Sequence, residues 1–357
     1  MPVDFQTNEE MVRAARRALD QAGWDYLVGG AESETTMRRN RAAFDKWAFL
    51  PRVLVDVSGV DPATEFLGEK IRIPVMLAPV AGMQRIHPEA AGAVAEAAAE
   101  FGTLQTVSSL TDPGMEETAE ASDGVKFFQM YIQGDWAWIK EMVARIKKAG
   151  YKAFVLTVDN ARYSRRERPI VGRTALANLG PSMPGPGASV TWDLMDRIKD
   201  LVDMPIMVKG IATAADAAIA VEHGVDVVWV SNHGGRQLDH GRGTLDMLPG
   251  IVEAIGGKAR IVLDGGVVRG SDVVKALALG ANVVAIGKLQ GWGLAAAGAE
   301  GVVRTLEILE DEILSAMALL GVNSIGELSR DYLERADPVA APHEMSAWVN
   351  LPGERLL

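Results

Sequence analysis

The chain has 357 residues, with 47 acidic against 36 basic side chains and a net charge of −11. It has no cysteine and five histidines (His87, His223, His233, His240 and His343), none paired at i, i+4. Disulfides, thiolate metal centres and cysteine nucleophiles are therefore excluded, and no metal site is expected. An acidic surface also argues against nucleic-acid or anionic-membrane partners.

Apolar content of 48% with 37 glycines suits a globular, loop-rich α/β chain. No apolar run reaches membrane-spanning length; Ile73–Met83 is interrupted by Pro74 and Pro79. The opening residues are polar and unlike a secretory leader, so the cytoplasm is the default expectation.

Residues before about 65 read as a helical extension. Strand and helix signals then alternate. A strand at Pro74–Val80 precedes a helix at Pro88–Phe101, and strands at Thr103–Val107 and Lys126–Tyr131 precede a helix at Asp135–Ala149. A fourth strand, Lys152–Val158, leads into a proline-rich stretch, Pro169–Ser189, expected to be a βα loop and a candidate lid. There follow a helix at Trp192–Leu201, a strand at Pro205–Val208, a helix at Ala214–His223 and a strand at Asp226–Val230. A strand at Arg260–Leu263, a helix at Ser271–Leu279 and a strand at Asn282–Ile286 complete the series. Thr191 and Thr213 have the chemistry of helix N-termini, and Gly150, Gly224 and Gly280 that of helix ends. The apolar runs are nearly continuous, as in parallel strands buried on both faces.

Eight strand–helix units predict a (β/α)8 TIM barrel in one domain, residues 1–357. Within it lie the extension to residue 65, the barrel over 66–336 and an irregular tail over 337–357. An open doubly wound sheet fits less well, because no glycine-rich fingerprint follows Val80.

Barrel chemistry gathers at the C-terminal strand ends. Here they read Pro79-Val80-Ala81, Ser108-Ser109, Gln129-Met130-Tyr131, Thr157-Val158-Asp159, Lys209-Gly210, Ser231-Asn232-His233, Asp264-Gly265-Gly266 and Gly287-Lys288. Some polarity is expected wherever loops meet water, but Gln, Tyr, Asp, Lys and His together on one rim favour an active site. Ser231–Gln237 sets a base, His233, three residues from a permanent cation, Arg236, on a glycine-loosened turn. That pairing suits a substrate with a carboxylate beside the reacting carbon. Asp264–Asp272 with Gly287-Lys288 reads as a phosphate site or as ordinary turn chemistry. The cluster Arg162–Arg168 is a solvated loop from which one or two arginines meet an anion. Lys209 is either a Schiff-base lysine or a fixed cation beside a cofactor. Tyr26 joins the site only if the extension folds over the rim.

The chain resembles the FMN-dependent α-hydroxy acid dehydrogenase/oxidase family, which includes glycolate oxidase and L-lactate oxidase. The likeness runs from Asp25-Tyr26 to Met317–Gly321 and is most specific at Ser231–Gln237; Phe127–Tyr131, Leu156–Asp159, Arg165–Glu167 and Val208–Gly210 also match. It implies FMN as cofactor and oxidation of an (S)-2-hydroxy acid. His233 would be the base, Asp159 its orienting carboxylate, and Arg236 and Arg166 the substrate-carboxylate clamps. Tyr26 and Tyr131 would supply phenols, and Lys209 a cation beside the flavin pyrimidine. Pro79, Val80 and Ala81 would face the flavin, with Ser108, Gln129, Thr157 and Ser231 holding its ring and ribityl chain. Asp264, Gly265, Gly266, Arg269, Gly287 and Lys288 would hold the ribityl chain and phosphate.

Three positions depart from the family pattern. Leu110 replaces an aromatic residue over the substrate, Val268 an arginine on the phosphate, and Lys288 another arginine there. Looser FMN binding is expected, with Arg269 as compensation. Oxygen is the expected electron acceptor, with a quinone or carrier as the alternative. A Lys209-dependent aldolase, or a barrel that binds FMN without turnover, explains fewer of these residues. Relatives of this kind form homotetramers or homo-octamers.

Overall fold

In the computed structural model, which describes residues 3–173 and 187–337, alternation along each strand builds two separate apolar layers. The barrel strands are β4 (Val75–Leu77), β5 (Gln105–Ser108), β6 (Lys126–Met130), β7 (Phe154–Thr157), β8 (Ile206–Ile211), β9 (Val227–Val230), β10 (Arg260–Leu263) and β11 (Val283–Ile286). They pair in parallel and in chain order, and β11 returns to β4 to close the barrel. Phe127, Val155, Met207, Trp229 and Val262 share the inner core. Phe128, Leu156, Val208, Val228 and Leu263 belong to the larger cluster that includes the helices.

The inner parity also dictates the rim. Two residues beyond Phe127, Val155, Met207, Trp229 and Val262 stand Gln129, Thr157, Lys209, Ser231 and Asp264, on the same face and at the C-terminal end. All five are buried. Register sets Ser108 beside Gln129 and Thr157 beside Lys209.

The extension contributes α1 (Asn8–Ala18), α2 (Gln21–Val28) and α3 (Thr35–Asp45). Around the barrel run α4 (Ala90–Phe101), α5 (Met115–Glu120), α6 (Trp136–Lys148), α7 (Glu167–Val171), α8 (Trp192–Lys199), α9 (Ala214–Glu222), α10 (Thr244–Ile255), α11 (Gly270–Ala278) and α12 (Lys288–Leu320). Thr191 and Thr213 cap α8 and α9 with their side chains, as their positions suggested. Gly150, Gly224 and Gly280 all take positive φ after a helix.

The structure differs from the sequence reading in three places. The segment between α3 and the barrel is not helical: β1 (Trp47–Phe49) pairs with β12 (Leu333–Arg335), and β2 (Thr64–Phe66) pairs with β3 (Glu69–Ile71). The β2–β3 hairpin inserts Phe66 and Ile71 into the inner core, where Phe66 meets Phe127 at 6.4 Å between ring centroids. An anchor of that size is worth about 3 kcal/mol or more. The helix expected from Pro88 starts at Ala90. The proline-rich stretch contains the short helix α7, with Pro169 in its first turn, where a missing N–H costs nothing. Residues 174–186 of the expected lid, and most of the tail, lie outside the described residues.

Candidate active site

One cavity of about 350 Å³ opens over the C-terminal ends of the barrel strands. Its wall joins three distant parts of the chain: α2 and α3 of the extension, the loop after β7, and the strand ends themselves.

His233 follows β9 on a turn whose φ of 59° is unusual for any residue with a Cβ. Its backbone N–H donates to Ser231 Oγ at 3.0 Å, and Asn232 Oδ1 caps the turn by accepting from Gly235 N–H. The ring is set from both sides. Nδ1 lies 2.8 Å from Asp159 Oδ1, and Nε2 lies 3.4 Å from the Tyr131 hydroxyl. Burial lowers the imidazole below its ordinary range; Asp159 opposes this, while Lys209 and Arg166 add to it. Burial alone would raise the Asp159 carboxyl, but the neighbouring His233 and Lys209 hold it below the usual value. The result is a neutral imidazole with an ionised carboxylate behind it.

Gly210 makes room for this pair. It sits at the irregularity in β8 with φ 115°, and a Cβ there would lie 2.7 Å from Asp159 Cβ.

Arg236 and Arg166 both line the cavity. Arg236 Nη1 donates to the carbonyls of Tyr26 (2.7 Å) and Gly29 (2.8 Å), which fixes the guanidinium against the extension. Arg166 donates to Ser164 Oγ at 3.3 Å and Gln237 Oε1 at 3.4 Å. Burial, and then Arg236, push Arg166 down to about 9. Neither has a carboxylate partner among the described residues, so an anion entering between them relieves their repulsion. Tyr26 does reach the rim: its hydroxyl donates to the Ala81 carbonyl, and Arg236 lies over its ring at 5.2 Å. Leu110 lines the cavity nearby and accepts from Gly82 N–H through its carbonyl.

Of the basic cluster, only Arg166 is offered to the site in this way. Arg168 grips Glu34 through two 2.6 Å bonds, and Arg165 pairs with Glu167 at 3.4 Å.

Lys209 is not a free amine. Its ammonium donates to Ser231 Oγ at 3.0 Å and lies 3.4 Å from Asp264 Oδ2. Asp264 also accepts from Ser231 Oγ (2.7 Å) and Trp229 Nε1 (3.0 Å). An ammonium held in this way is a fixed cation, and the aldolase reading loses its nucleophile.

Below the cavity, Ser108 Oγ donates to Gln129 Oε1 at 3.0 Å, and Gln129 Nε2 is buried with no partner among the described residues. Among the same residues Thr157 Oγ1 is likewise buried and unpartnered. Buried polar atoms are rarely left so, and here they adjoin Lys209 on neighbouring strand ends. At the other end, Gly287 and Lys288 at the start of α12 line the cavity, and a helix N-terminus favours an anion. Pro79, Val80 and Ala81 form the wall between. A heterocycle with a polar edge and a phosphorylated tail, as in FMN, fits this donor set.

The phosphate end differs from expectation in two ways. Arg269 does not line the cavity; its guanidinium pairs with Glu312 on α12 at 2.7 Å, so it cannot replace the charge missing at Val268. Asp264, Gly265 and Gly266 do line the cavity; both glycines take positive φ, and a Cβ there would meet Thr244 or Asn40 of α3. Arg41 of α3, unlike Arg269, lines the cavity; it is buried, bonded to the Gly266 carbonyl and paired with Asp272 at 2.7 Å. Sequence reading missed Arg41, because a cation on a helix before the barrel carries no local sign of its destination.

The family model for FMN-dependent dehydrogenases matches residues 15–184 and 182–335. Glycolate oxidase from Spinacia oleracea is 39% identical over 342 residues, covering 89% of this chain and 93% of its own. L-lactate oxidase from Nostoc sp. is 38% identical over 352 residues, covering 91% and 96%. A mandelate oxidase crystal structure superposes with a TM-score of 0.87 at 35% identity, covering 94% of this chain and all of that one. An active chimera of (S)-mandelate dehydrogenase does so with a TM-score of 0.87 at 33% identity, covering 92% and 99%.

Proposed function

The chain belongs to the FMN-dependent dehydrogenase family, and from that premise we propose how its residues oxidise an (S)-2-hydroxy acid to the 2-oxo acid. The observation that carries the reading is the buried Asp159–His233 pair, with Tyr131 on the far ring nitrogen and, on the same wall, two arginines without an acidic partner among the described residues.

FMN, when bound, supplies the two-electron acceptor. Arg236 and Arg166 hold the substrate carboxylate, which orients the adjacent carbinol carbon. His233 Nε2 takes a proton from that centre. Asp159 accepts from Nδ1–H throughout; it fixes the tautomer and stabilises the imidazolium once formed. Tyr131 stays protonated, because burial and the nearby Asp159 raise its phenol well above the ordinary value, so it serves as a donor. Gln129, Thr157 and Lys209 hold the polar edge of the flavin. Lys288, Arg41 and the N-terminus of α12 hold its phosphate.

Molecular oxygen is the acceptor in this reading, supported by the oxidases among the relatives. A quinone or carrier acceptor is a second reading, favoured by the similarity to a mandelate dehydrogenase. The proposal extends to a cytoplasmic homo-oligomer of four or eight chains, which the exposed apolar side chains of Val53, Leu54 and Leu319 support. Light scattering and cell fractionation test those two points.

The activity test mixes the FMN-loaded protein anaerobically with a panel of 2-hydroxy acids. Bleaching of the flavin absorbance is expected, followed by rapid recovery on admitting air. His233→Ala should retain FMN and fail to bleach. Absence of bleaching with every acid would overturn the reading, and recovery only with an added quinone would replace oxygen as acceptor.

A further inference from the structure

Arg85 lies in the 3-10 turn Met83–Arg85, four residues beyond Ala81, and lines the same cavity. Charge matching along that wall singles it out. Arg41 is paired with Asp272, Lys209 with Asp264 and Arg165 with Glu167. Lys288 lies close enough to Glu34 to lower that carboxyl, and on the proposed function it also meets the phosphate. Arg166 and Arg236 take the substrate carboxylate on that same reading. Arg85 alone among these cations has neither a carboxylate within ion-pair distance among the described residues nor a role so far.

Its placement is specific. Arg85 lies 5.7 Å from the centroid of the Tyr26 ring, and Arg236 lies 5.2 Å from the same centroid. The two guanidinium carbons are therefore separated by no more than roughly 11 Å. A guanidinium carbon stands about 4 Å from a carboxyl carbon in a bidentate pair. The two carboxyl carbons of a four- or five-carbon diacid are about 4–5 Å apart. One such molecule is therefore long enough to reach from one guanidinium to the other. Leu110, which offers no donor and no aromatic face, leaves the side of the pocket open for the second acid group.

We propose that the substrate is a short 2-hydroxy dicarboxylate, with Arg236 and Arg166 on the carboxylate beside the carbinol and Arg85 on the distal one. This rests on the proposed function above and adds the substrate class. Arg85 is exposed, so a variant there is not expected to disturb folding.

The test follows flavin reduction anaerobically with matched pairs: (S)-2-hydroxybutanedioate against (S)-2-hydroxybutanoate, and (S)-2-hydroxypentanedioate against (S)-2-hydroxypentanoate. The FMN-loaded protein should half-saturate at a lower concentration of diacid than of matched monoacid. Arg85→Gln should shift that diacid-to-monoacid ratio by roughly tenfold, the loss of one charge-assisted contact. Arg85→Lys should restore part of it. Added salt should weaken the diacid more than the monoacid, because the contact is exposed. Reduction by monoacids with no diacid preference, or an equal effect of Arg85→Gln on both members of a pair, overturns this proposal and leaves the activity standing. Absence of reduction by either diacid overturns this proposal, and the activity falls with it only if every acid of the wider panel also fails to reduce the flavin.

Discussion

Gly210→Ala separates a positioned base from a merely present one. The added Cβ would lie 2.7 Å from Asp159 Cβ, 2.9 Å from its Cγ and 2.9 Å from its backbone N. Ordinary carbon contacts need about 3.5 Å or more. Asp159 must therefore retreat by most of an ångström, and its 2.8 Å hydrogen bond to His233 Nδ1 passes out of range. The backbone adds its own penalty, because alanine at φ 115° is strained by about 1–3 kcal/mol. Losing the charge-assisted bond costs about 1.5–3 kcal/mol more, felt mainly when His233 carries the proton. The expected result is a fall of roughly 10²-fold or more in the limiting rate of anaerobic flavin reduction. FMN content should be unchanged and the melting temperature lower by a few degrees. In an Asp159→Asn background the same substitution should add little, since both act through one contact. A wild-type reduction rate in Gly210→Ala, or penalties that multiply fully in the double variant, would refute the reasoning.

Because His233 must be neutral to accept a proton and its pKa is lowered, kcat/KM should stay high as pH falls past about 6.5 and decline only below that; a decline centred above pH 6.5 would contradict the burial argument. Tyr131→Phe removes a donor facing His233 Nε2 and should slow flavin reduction about tenfold or more, with a smaller change in half-saturation; stopped-flow traces distinguish the two. Val268→Arg should tighten FMN binding about tenfold over the native chain and leave riboflavin affinity unchanged, read by flavin fluorescence quenching. Native protein that keeps full FMN occupancy through extended dialysis would refute the weak-phosphate-site argument.

Much of the fold was legible because its signals are local. Apolar runs at strand length, threonine caps and glycine helix ends repeat at each unit, and each is set by neighbours within a few residues. The rim was legible for the same reason: period-two alternation carries Gln129, Thr157, Lys209, Ser231 and Asp264 onto the inner face wherever Phe127, Val155, Met207, Trp229 and Val262 are buried. Three-residue strands such as β1 and β12 carry no such signal, because their stability comes from a partner nearly 290 residues away.

Sequence alone therefore determined the barrel, its functional end and the Asp159–His233–Arg236 chemistry. Tertiary packing decided which cations face the ligands. Arg269 and Arg41 look alike in sequence, yet Glu312 holds the first away from the cavity, while α3 carries the second into its wall. Arg85 and Arg236 meet at the Tyr26 ring only because the extension folds across the rim. A side chain's charge is encoded at its own position, but the partner that neutralises it is chosen by long-range burial, and that choice separates an arginine that braces the fold from one left free for a substrate.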